Sequence, residues 1–172
     1  MEKWDILDCN GMPTGKTTMR GQCKLKAGEY HLVVHIWIVS PCGKFLLQRR
    51  SEQKKLMPGE WAATGGAAIS GEDSYTAASR ELYEELGIAS NKQDLIKLAR
   101  IKRRNSLLDI WFINTDVEID DLTLQQDEVS EAKWASREKL ISMINNGEFH
   151  NYGKEYFDTV FEKIDEQMGV TL

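Results

Sequence analysis

The sequence predicts an α+β domain built on a central sheet, and three observations carry that expectation. At 172 residues with 41% hydrophobic content, the chain can bury one sizeable core but is short for two, so residues 1–172 are expected to form a single domain. The run His31-Leu32-Val33-Val34-His35-Ile36-Trp37-Ile38-Val39 is β-branched, aromatic and too continuous for a half-exposed strand, which puts it at the centre of a sheet. Segments with helical periodicity alternate with and follow the strands.

Taken in order, the elements divide into an N-terminal β-hairpin over about 1–28, a core over about 29–145 and a C-terminal helix over about 153–168. Trp4 to Asp8 reads as a short strand, and Asn10-Gly11, Pro13 and Gly15 supply turn chemistry before the next extended piece. After the central strand, Pro41-Cys42-Gly43 turns the chain into Lys44 to Gln48, a neighbouring strand. Pro58-Gly59 breaks the basic stretch that follows Arg49-Arg50, and Trp61 to Thr64 leads into Gly65-Gly66, where missing side chains let the backbone turn sharply or approach a ligand. A helix should begin near Asp73 or Ser74, both good N-cap types, and end at Gly87, which can take the left-handed cap conformation. Tyr75, Ala78, Leu82 and Leu86 give it an apolar stripe. Leu95 to Ile101 and Leu107 to Thr115 read as strands joined by the basic loop Lys102-Arg103-Arg104-Asn105. Lys133-Trp134 ends another short strand. Ser136 caps a helix to about Asn145, stopped by Asn146-Gly147, and a last helix from Lys154 to Gln167 is amphipathic through Phe157, Val160, Phe161 and Ile164.

The formal net charge of -5 argues against a general grip on nucleic acid, which wants a basic face. Arg49-Arg50, Lys54-Lys55 and Lys102-Arg103-Arg104 are instead local basic spots suited to small polyanions. Cys9, Cys23 and Cys42 are odd in number and lack the short spacing of a zinc or redox pair, as reduced thiols would be. The N-terminus has no basic region followed by an apolar stretch, and no eighteen apolar residues run together, so a cytoplasmic protein without membrane attachment is expected. A homodimer is compatible with these features.

The chemistry concentrates between Gly66 and Ile88. Glu81, Glu84 and Glu85 stand at i, i+3 and i+4, so their carboxylates share one helical face. Such like-charged neighbours repel by a few tenths of a kcal/mol per pair on a free helix, and a cation that bridges them removes the conflict. All-oxygen ligands point to a hard ion, Mg²⁺ or Mn²⁺, which is commonly held by one or two carboxylates while substrate phosphates and waters complete its shell. That arrangement points to phosphoryl chemistry.

Gly66, Glu72, Arg80, Glu81, Glu84, Glu85 and Gly87, with aliphatic Leu82 and Ile88, fill every fixed position of the Nudix box, and the chain resembles the Nudix hydrolase superfamily. The resemblance implies a mixed β-sheet sandwiched between helices (an α/β/α sandwich) and a metal-dependent hydrolase that cleaves a diphosphate linkage in a nucleoside diphosphate derivative or similar small molecule. It makes Glu81, Glu84 and Glu85 the metal-facing glutamates, with the Gly66 carbonyl as an added ligand. Arg80, four residues before Glu84, is within reach to orient a box carboxylate. Members of the family differ in where the general base lies. Glu128, in Gln125-Gln126-Asp127-Glu128-Val129, is a fourth metal ligand or the base; Glu81 is the other base candidate, though it cannot be ligand and free base at once for the same metal.

Outside the box, His31, Trp37, Gln48-Arg49-Arg50, Lys54-Lys55 and Pro58-Gly59-Glu60-Trp61 resemble the branch that includes isopentenyl diphosphate isomerases and their hydrolase-like relatives. That similarity makes Arg50 and Lys54 diphosphate-binding residues, with Trp61 near the substrate. It fails at the isomerase chemistry, because the catalytic cysteine would fall at Gly65 and a metal-binding histidine at Ala67. Gln126 also replaces an acidic ligand of that metal site. His31, which matches another of its ligands, and His35 are then expected to be packed strand residues. Two further alternatives are a non-catalytic nucleotide-sensing Nudix module, against which the intact glutamates argue, and messenger RNA decapping, which the negative charge disfavours.

Overall fold

The computed structural model describes residues 2–22 and 25–170. Strands β1 (Lys3–Leu7) and β2 (Pro13–Met19) form the expected antiparallel hairpin. It is tied down by the paired amides of Leu7 and Tyr30 and by Asp5, which accepts hydrogen bonds from the Ser70 hydroxyl at 2.7 Å and the Gly71 amide at 2.8 Å.

The main sheet has seven strands: β3 (His31–Val39), β4 (Phe45–Arg50), β5 (Trp61–Ala62), β6 (Thr64–Ala67), β7 (Leu95–Lys102), β8 (Ser106–Asn114) and β9 (Val129–Ala135). The central position expected for His31–Val39 is correct. β3 runs parallel to β8 on one side and antiparallel to both β4 and β6 on the other, while β9 extends the sheet from β4. The sheet is therefore mixed. Sequence reading took Gly65-Gly66 as a sharp turn or a close approach to a ligand and missed β6; there, pairing with Val33–Ile36 outweighs the weak strand propensity of the glycines. A short 3-10 turn at Ile119–Asp121 was also not foreseen.

Helix α1 (Ser74–Leu86) covers one face of the sheet, and α2 (Arg137–Asn145) and α3 (Lys154–Met168) cover the other. The alternation of β3 decides which residues go where. Val34, Ile36 and Ile38 enter the core beneath α1, whereas Trp37 and Val39 pack with Phe157, Val160 and Ile164 of α3. His31, Val33 and His35 share that second face and line a cleft, with His35 reaching Tyr156 at the start of α3. Cys9 and Cys42 are free and exposed, Cys23 lies outside the described residues, and no described helix is long and apolar enough to cross a membrane.

Candidate active site

The site is built where β6 meets α1. Asp73 caps the helix by accepting a 2.7 Å hydrogen bond from the Thr76 amide, and Gly87 ends it in the left-handed conformation at φ 74°. Between those caps the helix turns Ala77, Ala78, Leu82 and Leu86 into the core. Glu85 goes in with them, only 2% exposed.

The two glycines of β6 make room for this helix face. Gly65 has φ +152°, and a Cβ there would overlap the Val34 carbonyl oxygen; a Cβ on Gly66 would overlap the Glu81 carboxylate. The bare backbone of β6 thus lets Glu81 and Glu85 lie directly against it. Glu85 Oε2 accepts hydrogen bonds from Gln48 Nε2 at 2.9 Å and the Gly65 amide at 3.1 Å. Burial, and then the charge of Glu81, still push its pKa up to about 8. Glu81 is raised to about 7 by burial, against the opposing pull of Arg80.

Arg80 is the clip of the site. Its Nε and Nη2 donate to Glu72 at 2.7 and 3.0 Å, Nη2 also to the Ala67 carbonyl at 3.2 Å, and Nη1 to Glu81 and Glu84 at 3.0 and 2.8 Å. All five guanidinium N–H groups are engaged. Arg80 is therefore placed as a positioning residue rather than one with a donor to spare for substrate, and Glu72, which sequence reasoning left without a role, is its main partner. Glu84 reaches the cleft from the next turn and is half exposed.

Glu128 reaches the same cleft from the loop before β9. That loop is fastened by the Gln125 amide to the Glu85 carbonyl at 3.2 Å and by the Ser51 amide to the Glu128 carbonyl at 2.9 Å. The Glu128 carboxylate is ion-paired with Lys54. Arg50, at the end of β4, is nine-tenths buried and spends only its Nε, on the Leu56 carbonyl at 3.0 Å. The cleft that collects Gly66, Arg80, Glu81, Glu84, Glu128, Arg50 and Lys54 has a volume of about 550 Å³.

Trp61 does not join them. Its side chain packs into the core under α2 and α3, with the Lys133 ammonium 3.7 Å over its ring, because β5 turns it away from the cleft. The expectation that it meets substrate is corrected accordingly. The two strand histidines are packed as expected: His31 stacks on Trp4 at 4.6 Å and bonds the Asn105 carbonyl, and His35 bonds the Tyr156 hydroxyl at 2.8 Å. Burial holds His35 down to about 3. Sequence reasoning named Gln48 only as part of a strand and a resemblance and gave it no role, although a polar residue ending the apolar run Phe45-Leu46-Leu47 is itself a signal. It missed His150 and Tyr152, which reach the cleft from the segment before α3 and carry no local motif.

The donor set suits a hard divalent ion in its chemistry. Carboxylates and a backbone carbonyl are the ligands such ions prefer, and two of the carboxylates are buried, where an added positive charge would further favour their ionised forms. Among the described residues no three acidic or histidine side chains already converge as a closed ligand group. Arg80 draws on Glu81 and Glu84, and Lys54 on Glu128.

The NUDIX domain family model matches residues 29–157. An uncharacterized Nudix hydrolase of Listeria monocytogenes is 40% identical over 153 residues, spanning 88% of this chain and 90% of that protein. An isopentenyl-diphosphate Delta-isomerase of Pectobacterium atrosepticum is 30% identical over 142 residues, 78% of this chain and 76% of its own. Among solved structures, DR0079 of Deinococcus radiodurans shares the fold with a TM-score of 0.73 at 23% identity, over 87% of this chain and 93% of that one. On its box, its fold and these matches, the chain belongs to the Nudix family and is a Nudix hydrolase.

Proposed function

We propose that the chain is a Mg²⁺- or Mn²⁺-dependent pyrophosphohydrolase that cleaves the diphosphate linkage of a nucleoside diphosphate derivative or similar small molecule. One observation carries the reading: a single cleft brings Glu81 and Glu84 of α1 together with Arg50 and the Lys54–Glu128 ion pair. Carboxylates and cations gathered in one cleft suit a diphosphate bound together with a divalent ion. Glu81, Glu84, Glu85, Glu128 and the Gly66 carbonyl would hold the ion, which supplies charge neutralisation on the phosphates and a more acidic water.

The chain's own residues do the rest. Arg80 keeps Glu81 and Glu84 turned toward the cleft. Arg50 and Lys54 grip phosphate oxygens, the forked guanidinium by two parallel bonds and the ammonium as a point charge. A phosphate that recruits Lys54 also releases Glu128 from its ion pair, so substrate binding readies Glu128 to accept the proton of the attacking water. Glu81 is the second candidate for that role, and the carboxylate that takes the proton would not at the same time be a ligand of that ion. The isomerase alternative has no acid at position 65, and the Val34 carbonyl fills the space a side chain there would need.

The test is a panel of nucleoside diphosphate sugars, alcohols, dinucleotides and free nucleoside diphosphates, assayed with Mg²⁺, with Mn²⁺ and with chelator. Turnover of at least one diphosphate that chelation abolishes and metal restores is expected. Turnover that persists without metal would overturn the mechanism, and failure across the whole panel with both metals would favour a nucleotide-sensing module. Isopentenyl diphosphate should give no dimethylallyl isomer.

A further inference from the structure

The charges that line the cleft do not all cancel. Arg20 is paired with Glu2 at 2.9 Å, Lys54 with Glu128, and Arg80 with Glu72, Glu81 and Glu84. Among the described residues, Arg50 and Arg103 have no acidic partner. Arg103 comes from the loop between β7 and β8, distant in sequence from the box, and reaches the same cleft. Both side chains line the one cleft. His35, held in its neutral form chiefly by burial, also feels the charges of Arg103, His150 and Arg50, and Tyr152 feels both arginines.

Arg50 gives the pair its meaning. A guanidinium nine-tenths buried with only one neutral carbonyl as partner is costly unless an anion completes it. The partner must fit a cleft whose own carboxylates are already engaged, so it belongs to the ligand rather than to the protein. Two unpaired forks match a group with close to two negative charges. A terminal phosphate, with its second ionisation near pH 6, carries about −1.5 to −2 at neutral pH, whereas a phosphate esterified on both sides carries only about −1.

We propose that Arg50 and Arg103 form a subsite for a terminal phosphate, so that the preferred substrates are diphosphates with one free end rather than diphosphates esterified at both ends. This rests on the diphosphate-hydrolase reading above and names its substrate class. Arg103 is the specificity-determining residue of the subsite, because Arg50 contacts any diphosphate in the cleft while Arg103 is placed to count the extra charge.

The experiment compares α,β-methylene-ADP with its esterified counterpart, α,β-methylene-ADP-ribose, by calorimetric titration with Mg²⁺ present, for the parent, Arg103→Gln and Arg103→Lys. These analogues are not cleaved, so binding is read independently of turnover. The parent should favour the free-ended analogue by about tenfold or more, the size of a lost charge-assisted contact. Arg103→Gln should bring that ratio down to within about threefold, chiefly by weakening the free-ended analogue. Arg103→Lys, which keeps the charge but not the fork, should fall between. Arg103 sits in a loop, and unchanged thermal midpoints are the control for folding. A parent that binds neither analogue, shows no preference, or prefers the esterified one overturns the subsite, as does a ratio that Arg103→Gln leaves unmoved. Discrimination that persists in a protein unable to hydrolyse any diphosphate would sink the hydrolase reading and leave the subsite standing.

Discussion

Glu85 shows at single-residue scale how burial sets chemistry. With its pKa pushed to about 8, the side chain is largely protonated at pH 7 in the metal-free protein, so an amide is close to isosteric and isoelectronic with it. Glu85→Gln keeps an oxygen to accept from Gln48 and the Gly65 amide. The thermal midpoint of the metal-free variant is therefore expected within about 3 °C of the parent, since a shift of that size is below about 1 kcal/mol. Turnover should nevertheless fall by on the order of a hundredfold, comparable with removing one strong electrostatic stabiliser. Retained turnover would dismiss Glu85 as a ligand, and a large loss of stability would make it structural. Gly65 is the other decisive residue. With φ +152° and the Val34 oxygen where a Cβ would go, Gly65→Ala should cost about 2 kcal/mol or more in denaturant titrations. A cost under about 0.5 kcal/mol would mean that β6 can move away from β3 and that this glycine is not what fixes the site.

At the scale of elements, α1 is the carrier of the box glutamates, and its ends should affect stability more than chemistry. Asp73→Ala removes the N-cap hydrogen bond and should cost about 1 kcal/mol, while kcat/KM stays within about threefold because the cap lies two turns from Glu81. A larger kinetic loss would show that the helix start sets the metal side chains. Both ends of this helix were legible in the sequence because caps are local: Asp73, Ser74 and Gly87 state the boundaries within one turn of themselves, and Ser136 does the same for α2. The box glutamates were legible for the same reason, since i, i+3 and i+4 spacing fixes a face. What was hidden depends on contacts distant in sequence. β6 is a strand because β3 lies beside it. Trp61 left the site because β5 faces it toward α2 and α3, which no local pattern encodes. Glu72, eight residues before Arg80, stands outside the helix, and only the folded loop makes it the main partner of that guanidinium. The unpaired state of Arg103 is equally invisible before every acid in the cleft has been assigned.

For the whole molecule, the two faces of the sheet do different work, and the second face joins the cleft to the C-terminal helix through a buried polar chain. Trp37 Nε1 donates to the Tyr156 hydroxyl at 2.9 Å, and that hydroxyl bonds His35 Nδ1 at 2.8 Å. The single hydroxyl proton is then left for His35, whose Nδ1 accepts it as a neutral imidazole. Around that ring stand Tyr152, Tyr156, Arg50, Arg103 and His150, and none of these offers a negative charge at neutral pH. Burial and the nearby cations therefore hold His35 down to about 3, against an ordinary value of 6.5. The sign follows from linkage: the unfolded chain takes up the proton first, so the stability this group contributes is complete above pH 6.5 and is lost as pH falls toward 3. The gap between the two values sets a ceiling of about 5 kcal/mol when titration is complete. At pH 4.5 the loss should already be about 2 to 3 kcal/mol. His35→Gln retains an oxygen that can accept from Tyr156 but has no proton to take up. Its stability, measured by urea titration at pH 7 and at pH 4.5, should fall by about 2 kcal/mol less over that interval than the parent's. If both proteins lose the same amount, the acid sensitivity of the molecule lies with its other titrating groups, and the chain joining the cleft to α3 is not strained by protonation.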